Sequence, residues 1–438
     1  MEYCCLMRFK ILSICIIIFG ALGAPFFANA AIYLNDPGFT TNRTDVDKQW
    51  ALVNAGFISA WEKTTGSPST IIAVIDTGID VTHVDLQSIN FVPGYNAMTG
   101  LPLPQDINSD DNGHGTLVAG VIGATPNNST GVVGANWQVS IMPIKALDGT
   151  GGGDSVSVSK GIRWATDHGD HIINVSVGGI SLNGDKLMAD AIEYAFNRGV
   201  VIIAAAGNDT AVNGLNLDTQ PGFPVCDDNG TNMVIGVAAI DSRNIKPAFS
   251  NFGSHCVDVS APGKRILSTI NRDPVSGHLA PNSYAYASGT SLAVPYVSAE
   301  AALIRGLHPD ATNRQIRDVI LKAVDPIDVN NPTQCSGGQC KGLLGTGKIN
   351  VLKAVNEPIV TVGVTEGTLV LEEGAGNIYF INGGRKQPVS DFVRKQRFGS
   401  LSLIRVPASA VVNIPLGSSA LPSEGILVKS KDDPTVYS

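Results

Sequence analysis

The chain has 438 residues, enough for two or three domains, and 44% of them are hydrophobic while 16% are charged. This composition excludes an intrinsically disordered chain and predicts a globular one with a large core. The formal net charge of −8 provides no basic surface for nucleic acid, so we expect no nucleic-acid partner.

The first 30 residues have the pattern of a secretion signal. Arg8 and Lys10 precede the apolar run 11–19, and residues 28–30 (Ala-Asn-Ala) supply the small residues of a cleavage site. We therefore expect a signal peptide over 1–30 and a secreted, extracellular protein. The alternative is a retained membrane anchor, for which the apolar run is short.

Short apolar runs then alternate with helical patterns as far as residue 356. The predicted strands are 71–75, 141–145, 172–177, 200–206 and 233–238. The predicted helices are 114–124, 154–168, 185–198, 291–307 and 313–324. This alternation predicts an α/β fold with a mostly parallel central sheet that is covered by helices.

Three short segments carry an aspartate, a histidine and a serine, in that order. Asp76 follows the apolar run 71–75, His114 lies in Asn-Gly-His-Gly-Thr, and Ser291 lies in Ser-Gly-Thr-Ser-Leu-Ala. A serine hydroxyl is a weak nucleophile at neutral pH, because an imidazole must take its proton and a carboxylate must orient that imidazole. The three residues together predict a serine hydrolase.

The flanking sequences resemble the subtilisin family of serine peptidases, and its thermitase-like secreted members in particular, over roughly residues 35–355. The motifs that carry the resemblance are IAVIDTGID, GHGTLVAG and GTSLAVP. The order Asp, His, Ser also differs from that of chymotrypsin and of α/β-hydrolases. The resemblance implies a three-layer sandwich over 31–356, and it gives Asn208 the role of donating a side-chain N–H to the oxyanion.

The resemblance also implies where a substrate binds. The implied substrate-binding residues are Gly151, Gly153, Ser176, Val177 and Gly178. They lie in two segments that resemble the strands on either side of an extended peptide. Such a peptide is bound mainly through its backbone, which suits broad specificity, so the expected partners are protein or peptide substrates.

Calcium in a structural role is the cofactor that the resemblance implies. The loop 126–132 resembles the calcium loop of the family, which uses side-chain and carbonyl oxygens. The implied ligands are Asp36, Asp85, Asn128 and the carbonyls of Pro126, Thr130 and Val132. The alternative is an ordinary Asn-rich turn. For Asp106, Asp110 and Asp111 we weigh a second, weaker cation site against a solvated loop and favour the loop.

One departure from the family pattern concerns folding. Most subtilisins carry an inhibitory folding domain between the signal and the catalytic domain, and the residues between Ala31 and Asp76 leave no room for it. We expect either a folding helper that acts in trans or a fold that needs none. A wrongly assigned start of the chain is a third explanation.

Four of the seven cysteines remain once the signal is removed. In an exported protein an even number predicts two disulfides. Cys335 and Cys340 are close in sequence and are expected to pair, which leaves Cys226 with Cys256 to close a loop near the specificity pocket. The alternative is four free, buried cysteines.

From residue 357 the pattern changes to alternating apolar residues broken by glycines, which predicts a small β-rich module over 357–438. The segment 366–370 and Tyr379 recur as 424–428 and Tyr437, with the same interval between them. We interpret this as a repeat that is truncated at the end of the chain, against chance similarity of two β segments. Contact with a cell surface or polymer is the role that we expect of the module.

The sequence thus predicts a secreted, calcium-stabilised serine endopeptidase of broad specificity. One alternative is a surface-display or adhesion protein in which the peptidase serves only maturation. The other is an inactive peptidase scaffold, which is disfavoured because all four catalytic positions are filled.

Overall fold

The computed structural model describes residues 34–420 and the strand residues 428–429 and 436–437. The gaps within 34–420 are residues 43, 181–184, 211–212, 229, 273–277, 336–337, 360–363, 365–366, 373–375, 407–409 and 412–413. The predicted signal peptide and the first part of the second repeat, residues 424–427, lie outside the described residues.

The strands in chain order are β1 Gly66–Asp76, β2 Asn90–Phe91, β3 Gly94–Asn96, β4 Leu101–Leu103, β5 Gln138–Lys145, β6 Ile172–Val175, β7 Gly179–Ile180, β8 Val201–Ala205, β9 Gly222–Phe223, β10 Val234–Ile240, β11 Val259–Pro262, β12 Ile266–Arg272, β13 Leu279–Ala287, β14 Val324–Asp325, β15 Lys348–Ile349, β16 Leu369–Glu372, β17 Ile378–Asn382, β18 Arg385–Pro388, β19 Leu403–Val406, β20 Val428–Lys429 and β21 Val436–Tyr437.

The α-helices are α1 Trp50–Ala55, α2 Phe57–Ala60, α3 His114–Gly123, α4 Ser155–Asp167, α5 Lys186–Phe196, α6 Val294–Leu307, α7 Asn313–Lys322, α8 Val351–Asn356 and α9 Asp391–Arg397. Short 3₁₀ helices lie at Val84–Leu86, Thr290–Leu292 and Asp328–Asn330.

The central sheet confirms the predicted fold class. Its strand order is β14-β15-β11-β10-β8-β6-β1-β5-β3-β4, with β2 beside β5. The pairs from β11 through β10, β8, β6 and β1 to β5 are all parallel, and antiparallel pairs occur only at the two ends of the described sheet. Parallel strands must be joined by long crossover connections, which are usually helices.

Both faces of the sheet are covered, which gives three layers. In β1, Ala73 and Ile75 belong to a buried cluster that includes residues of α4 and α5. The alternate residues Ile72 and Val74 point to the opposite face and are equally buried. Helices α3 and α6 contact the same strand. The site described below lies where these parallel strands end.

The predicted helix 291–307 begins later in the structure than in the prediction. Ser291 lies in the 3₁₀ turn Thr290–Leu292, and α6 begins only at Val294. Pro295 explains the late start, since proline has no N–H to donate to the carbonyl of residue 291 and therefore belongs in the first turn of a helix. The other predicted helices and the five predicted strands form, with ends that differ by a few residues.

The C-terminal residues form a separate four-stranded sheet in the order β18-β17-β16-β19. Helix α9 covers one face through a cluster that includes Leu369, Val393 and Phe398. The other face buries Val370, Ile381 and Val406. A β-rich sheet after the main sheet agrees with the predicted fold class. Within the described ranges, no helix has the length and apolarity that a membrane crossing requires.

Candidate active site

Asp76 is the last residue of β1 and is completely buried. Its Oδ1 lies 2.8 Å from Nδ1 of His114 and also accepts a hydrogen bond from the N–H of Thr77 at 2.8 Å. A carboxylate that binds Nδ1 orients the imidazole and leaves Nε2 free to contact Ser291.

His114 is the first residue of α3, directly after Gly113, whose φ of 104° turns the chain into the helix. Its Nε2 lies 3.0 Å from Oγ of Ser291. Burial acts to lower the pKa of His114, but the charge and hydrogen bond of Asp76 outweigh it, with Asp110 adding to them, so the pKa is raised above its ordinary value. The three predicted triad residues therefore meet in one hydrogen-bonded line.

Ser291 is held by its backbone as well as by the turn around it. Because residue 295 is proline, the carbonyl of Ser291 has no helical partner, and it accepts a hydrogen bond from Oγ of Ser176 at 2.9 Å instead. Gly289 keeps the space beside Ser291 open, since a Cβ there would lie 2.9 Å from Oγ of Ser291 and 3.5 Å from Nδ2 of Asn208.

Asn208 follows β8 and faces the same space. Its Oδ1 accepts hydrogen bonds from the N–H of Thr290 at 2.9 Å and from the Thr290 hydroxyl at 3.2 Å. Since the amide oxygen is occupied by donors, Nδ2 is left to donate toward the space beside Ser291. This orientation is the one that an oxyanion donor needs.

One cleft of about 390 Å³ contains the predicted residues together. His114, Ser291 and Asn208 line it, and so do all five predicted substrate-binding residues, Gly151, Gly153, Ser176, Val177 and Gly178. A smaller cavity of about 80 Å³ next to Asn208 is lined mostly by small and apolar residues, among them Gly207, Leu217 and Phe223. The substrate-binding roles themselves stay predictions.

Asp110 contradicts the prediction of a solvated loop. It is 2% exposed, so it belongs neither to a solvated loop nor to a surface cation site. Its Oδ1 accepts from the Thr77 hydroxyl and the N–H groups of Asn112 and Gly113, and its Oδ2 accepts from the N–H and hydroxyl of Thr116. It therefore ties the turn after Asp76 to the start of α3. The neighbouring Asp111 pairs with Lys145.

The predicted calcium residues lie together only in part. Asp36 and Asp85 are buried, and Nδ2 of Asn128 donates to Asp85 at 2.7 Å, while the N–H groups of residues 127 and 128 donate to Asp36. Burial, with Asp36 adding to it, raises the pKa of Asp85 to about 6. Two buried carboxylates and an amide oxygen are hard donors that suit calcium. Among the described residues, no group of three or more His, Cys, Asp or Glu side chains could hold a metal.

The loop carbonyls that complete the predicted calcium set come from Pro126, Thr130 and Val132. The loop is shaped by its own hydrogen bonds: the N–H of Thr130 donates to Oδ1 of Asn128, and the N–H of Val132 donates to Oδ2 of Asp85. Asn127 and Ser129 have φ angles of 56° and 61°. The chemistry of the donors fits a calcium ion, and the ligand roles stay predictions.

Both predicted disulfides are present. Cys226 pairs with Cys256, and Cys335 pairs with Cys340. The first bridge lies three residues after Phe223, which lines the cleft. The alternative of free cysteines is therefore wrong.

A parallel α/β sandwich with an Asp-His-Ser line at the carboxyl edge of its sheet is the arrangement of a hydrolase with a serine nucleophile. Comparison with known proteins agrees. Residues 67–347 match the subtilase family, and the chain belongs to that family.

Three relatives illustrate the similarity. An extracellular protease of Xanthomonas campestris is 34% identical over 73% of this chain and 57% of its own length. A thermophilic serine proteinase of a Bacillus species is 36% identical over 67% of this chain and 66% of its own length. Thermitase of Thermoactinomyces vulgaris is 36% identical over 67% of this chain and 92% of its own length. The chain thus spans less than two thirds of the first two relatives.

Two solved structures share the fold. A protease from Pseudoalteromonas arctica matches with a TM-score of 0.58 and 30% identity, over 74% of this chain and 98% of its own. Fervidolysin from Fervidobacterium pennivorans, described as a keratinolytic enzyme related to subtilisin, matches with a TM-score of 0.59 and 30% identity, over 80% of this chain and 54% of its own.

Proposed function

We propose that the chain is a secreted serine endopeptidase whose nucleophile is Ser291. The observation that carries this proposal is the continuous line from Asp76 through His114 to Ser291, with contacts of 2.8 Å and 3.0 Å. Membership of the subtilase family and the relatives that are named proteases support the same reaction.

In the first half of the reaction, Oγ of Ser291 attacks the scissile carbonyl carbon while Nε2 of His114 takes the hydroxyl proton. The buried Asp76 carboxylate stabilises the imidazolium that results. The negative charge on the former carbonyl oxygen is stabilised by Nδ2 of Asn208 and the backbone N–H of Ser291. The C–N bond then breaks, His114 gives its proton to the leaving amine, and an acyl ester on Ser291 remains.

In the second half, water replaces the amine. His114 takes a proton from the water as it attacks the ester, and the same two donors stabilise the second oxyanion. Breaking the ester bond returns the proton to Ser291 and releases the carboxylate product. Each step is a proton transfer at Nε2 of His114, which is why the contact between Nε2 and Oγ carries the proposal.

The substrate in this proposal is an extended peptide of broad sequence. Gly151 and Gly153 on one side of the cleft, and Ser176, Val177 and Gly178 on the other, would bind it through backbone hydrogen bonds. Glycines permit the close approach of two backbones. The small apolar cavity beside Asn208 would take the side chain that precedes the cleaved bond.

Calcium would act as a structural ion on Asp36, Asp85 and Asn128, with the loop carbonyls of Pro126, Thr130 and Val132. When bound, it would neutralise two buried carboxylates and join the amino-terminal segment to the loop. The contact between Asp36 and the N–H groups of residues 127 and 128 already brings these segments together.

Three further assignments rest on the sequence pattern. Export is supported by the two disulfides, which form in oxidising compartments, and by the relative that is named an extracellular protease. Contact with a cell surface or polymer through 357–438 and a folding helper in trans stay predictions.

The test is active-site labelling of the purified chain with a fluorophosphonate probe, followed by mapping of the modified peptide. We expect the label on Ser291, and none on the Ser291→Ala variant. A calcium-loaded, folded sample that takes no label would refute the peptidase. With a chelator, labelling of the parent chain should fall, whereas the Asp85→Asn variant should label equally with and without calcium. A parent chain that ignores the chelator would refute the calcium site.

A further inference from the structure

We propose that Lys246 is a positioning residue for the oxyanion donor Asn208, acting through the segment 247–251. This inference rests on the proposed peptidase function and extends it, because the sequence motifs around the triad give no sign that a lysine takes part.

Lys246 is only 3% exposed, and its ammonium group is fully used. Its Nζ donates to the carbonyls of Asn213 at 2.9 Å, Pro247 at 3.2 Å and Ser250 at 2.9 Å. An ammonium group has three N–H bonds, so each carbonyl receives one. Among the described residues, Lys246 forms no ion pair with a carboxylate. Its position is therefore defined by backbone carbonyls.

The segment 247–251, which Lys246 holds, is hydrogen-bonded to the residues on both sides of Asn208. The N–H of Asp209 donates to the carbonyl of Phe249 at 2.7 Å, and the N–H of Asn251 donates to the carbonyl of Gly207 at 3.0 Å. These two bonds form an isolated antiparallel bridge between Asn208 and Ser250. Ser250 is thus the link, since its carbonyl accepts from Lys246 while its backbone faces Asn208.

These two hydrogen bonds matter because Asn208 lies past the end of β8 and, among the described residues, has no strand neighbours of that sheet to hold its backbone. Gly207, with a φ of 93°, precedes it, in a backbone conformation that favours glycine. The side-chain oxygen of Asn208 is fixed by Thr290, but the direction of Nδ2 also depends on the backbone of residue 208. A donor for an oxyanion must be aimed before the charge develops, so a displacement of well under 1 Å would weaken it.

The lysine also carries an energetic cost that packing alone does not explain. Burial lowers the pKa of Lys246 to about 8, which means that the fold disfavours the charged form. A hydrophobic side chain of the same length would avoid this cost but would leave the carbonyls of Asn213, Pro247 and Ser250 without their donor. The geometry therefore fits a role in holding this backbone in place.

The experiment compares the parent chain with Lys246→Met, which keeps the length of the side chain and removes the donors. With a peptide substrate in the calcium-loaded full chain, we expect kcat to fall about tenfold while KM stays within about twofold, because an oxyanion donor acts only in the transition state. The same substitution in an Asn208→Ala background should change kcat by less than about twofold, since the group that Lys246 positions is already absent.

Two further variants separate this role from general support of the fold. Lys348 is 6% exposed and donates to the carbonyl of Asn54 at 2.5 Å, so Lys348→Met should lower the melting temperature and leave kcat unchanged. Lys246→Gln keeps two of the three N–H donors on a shorter side chain, so its kcat should fall between those of the parent chain and Lys246→Met. An equal loss of kcat with and without Asn208, or a loss confined to KM, would overturn the proposal. Labelling of Ser291 in the parent chain tests the peptidase separately.

Discussion

Asp110 is a second buried carboxylate near His114, the histidine that we propose as the catalytic base. It accepts five hydrogen bonds, and its charge adds to that of Asp76 in raising the pKa of His114. The donors to Asp110 are Thr77, which follows Asp76, and residues on either side of His114. These hydrogen bonds hold the carboxylate in place near the imidazole. The Asp110 carboxylate thus contributes to the raised pKa of His114.

We expect the Asp110→Asn variant to shift the acid limb of kcat/KM to lower pH. His114 must be neutral to accept a proton from Ser291, so activity rises with pH through the pKa of His114. Removing the Asp110 charge removes one cause that raises this pKa. The measurement is kcat/KM against pH for both chains, with Asp111→Asn as control because that side chain is 58% exposed. An acid limb that stays in place would contradict the argument.

That Asp76, His114 and Ser291 lie together could be predicted from sequence because each lies in a short segment that is itself diagnostic, while their catalytic roles stay predictions. Asp76 follows a buried strand, and His114 and Ser291 lie in glycine-containing turns where helices begin. Asp110 and Lys246 could not be predicted in the same way. Their roles depend on donors and acceptors that are distant in sequence, such as Thr77 for Asp110 and Asn213 for Lys246.

Helix α6 carries a carboxyl group inside the core. Glu300 is completely buried, and neither of its carboxylate oxygens has a hydrogen-bond partner among the described atoms. Burial raises its pKa well above the ordinary value of 4.5. The folded chain therefore favours the neutral carboxylic acid at this position, whereas the unfolded chain ionises it above about pH 4.5.

The Glu300→Gln variant should remove a pH-dependent loss of stability. In the parent chain, the folded state keeps the Glu300 proton and the unfolded state releases it. The free energy of unfolding therefore falls as pH rises from about 4.5 toward the folded-state pKa, by up to about 1.4 kcal/mol per pH unit. The advantage of the variant should therefore grow with pH over this window. Urea unfolding at pH 5 and pH 8 measures it, with the exposed Glu193→Gln as control. Equal pH slopes for all three chains would refute the prediction.

Strand β5 contains a proline, and the sequence predicts the strand without explaining how the proline fits into it. Pro143 lies inside this central strand, a position that proline normally avoids because it cannot donate to the ladder. Strand β2 pairs with residues 140 and 141, and β3 pairs with residues 144 and 145, so Pro143 falls between the two partners. The apolar run predicted the strand, but only the pairing of its neighbours explains how it tolerates the proline.

Two hairpins near the end of the chain have the same register, at the interval of the predicted repeat, and the repeat itself stays a prediction. In the first copy of the predicted repeat, β16 and β17 pair with Val370 as the register partner of Tyr379. In the second copy, β20 and β21 pair with Val428 as the register partner of Tyr437. The same hairpin register therefore recurs at the interval at which the sequence recurs. The boundary between the peptidase domain and this module, after residue 356, stays a prediction.

If that boundary is right, a chain that ends at Asn356 should keep full catalysis. Every described contact of the triad, the oxyanion donor and the Lys246 segment lies before it, and so do both disulfides. We expect kcat/KM within about twofold of the full chain, because residues that are far apart and share no partners contribute independently. The full chain alone should adsorb to insoluble polysaccharide or protein particles. Loss of Ser291 labelling on truncation would show instead that the module is part of the peptidase fold, and equal adsorption of both chains would remove its surface-binding role.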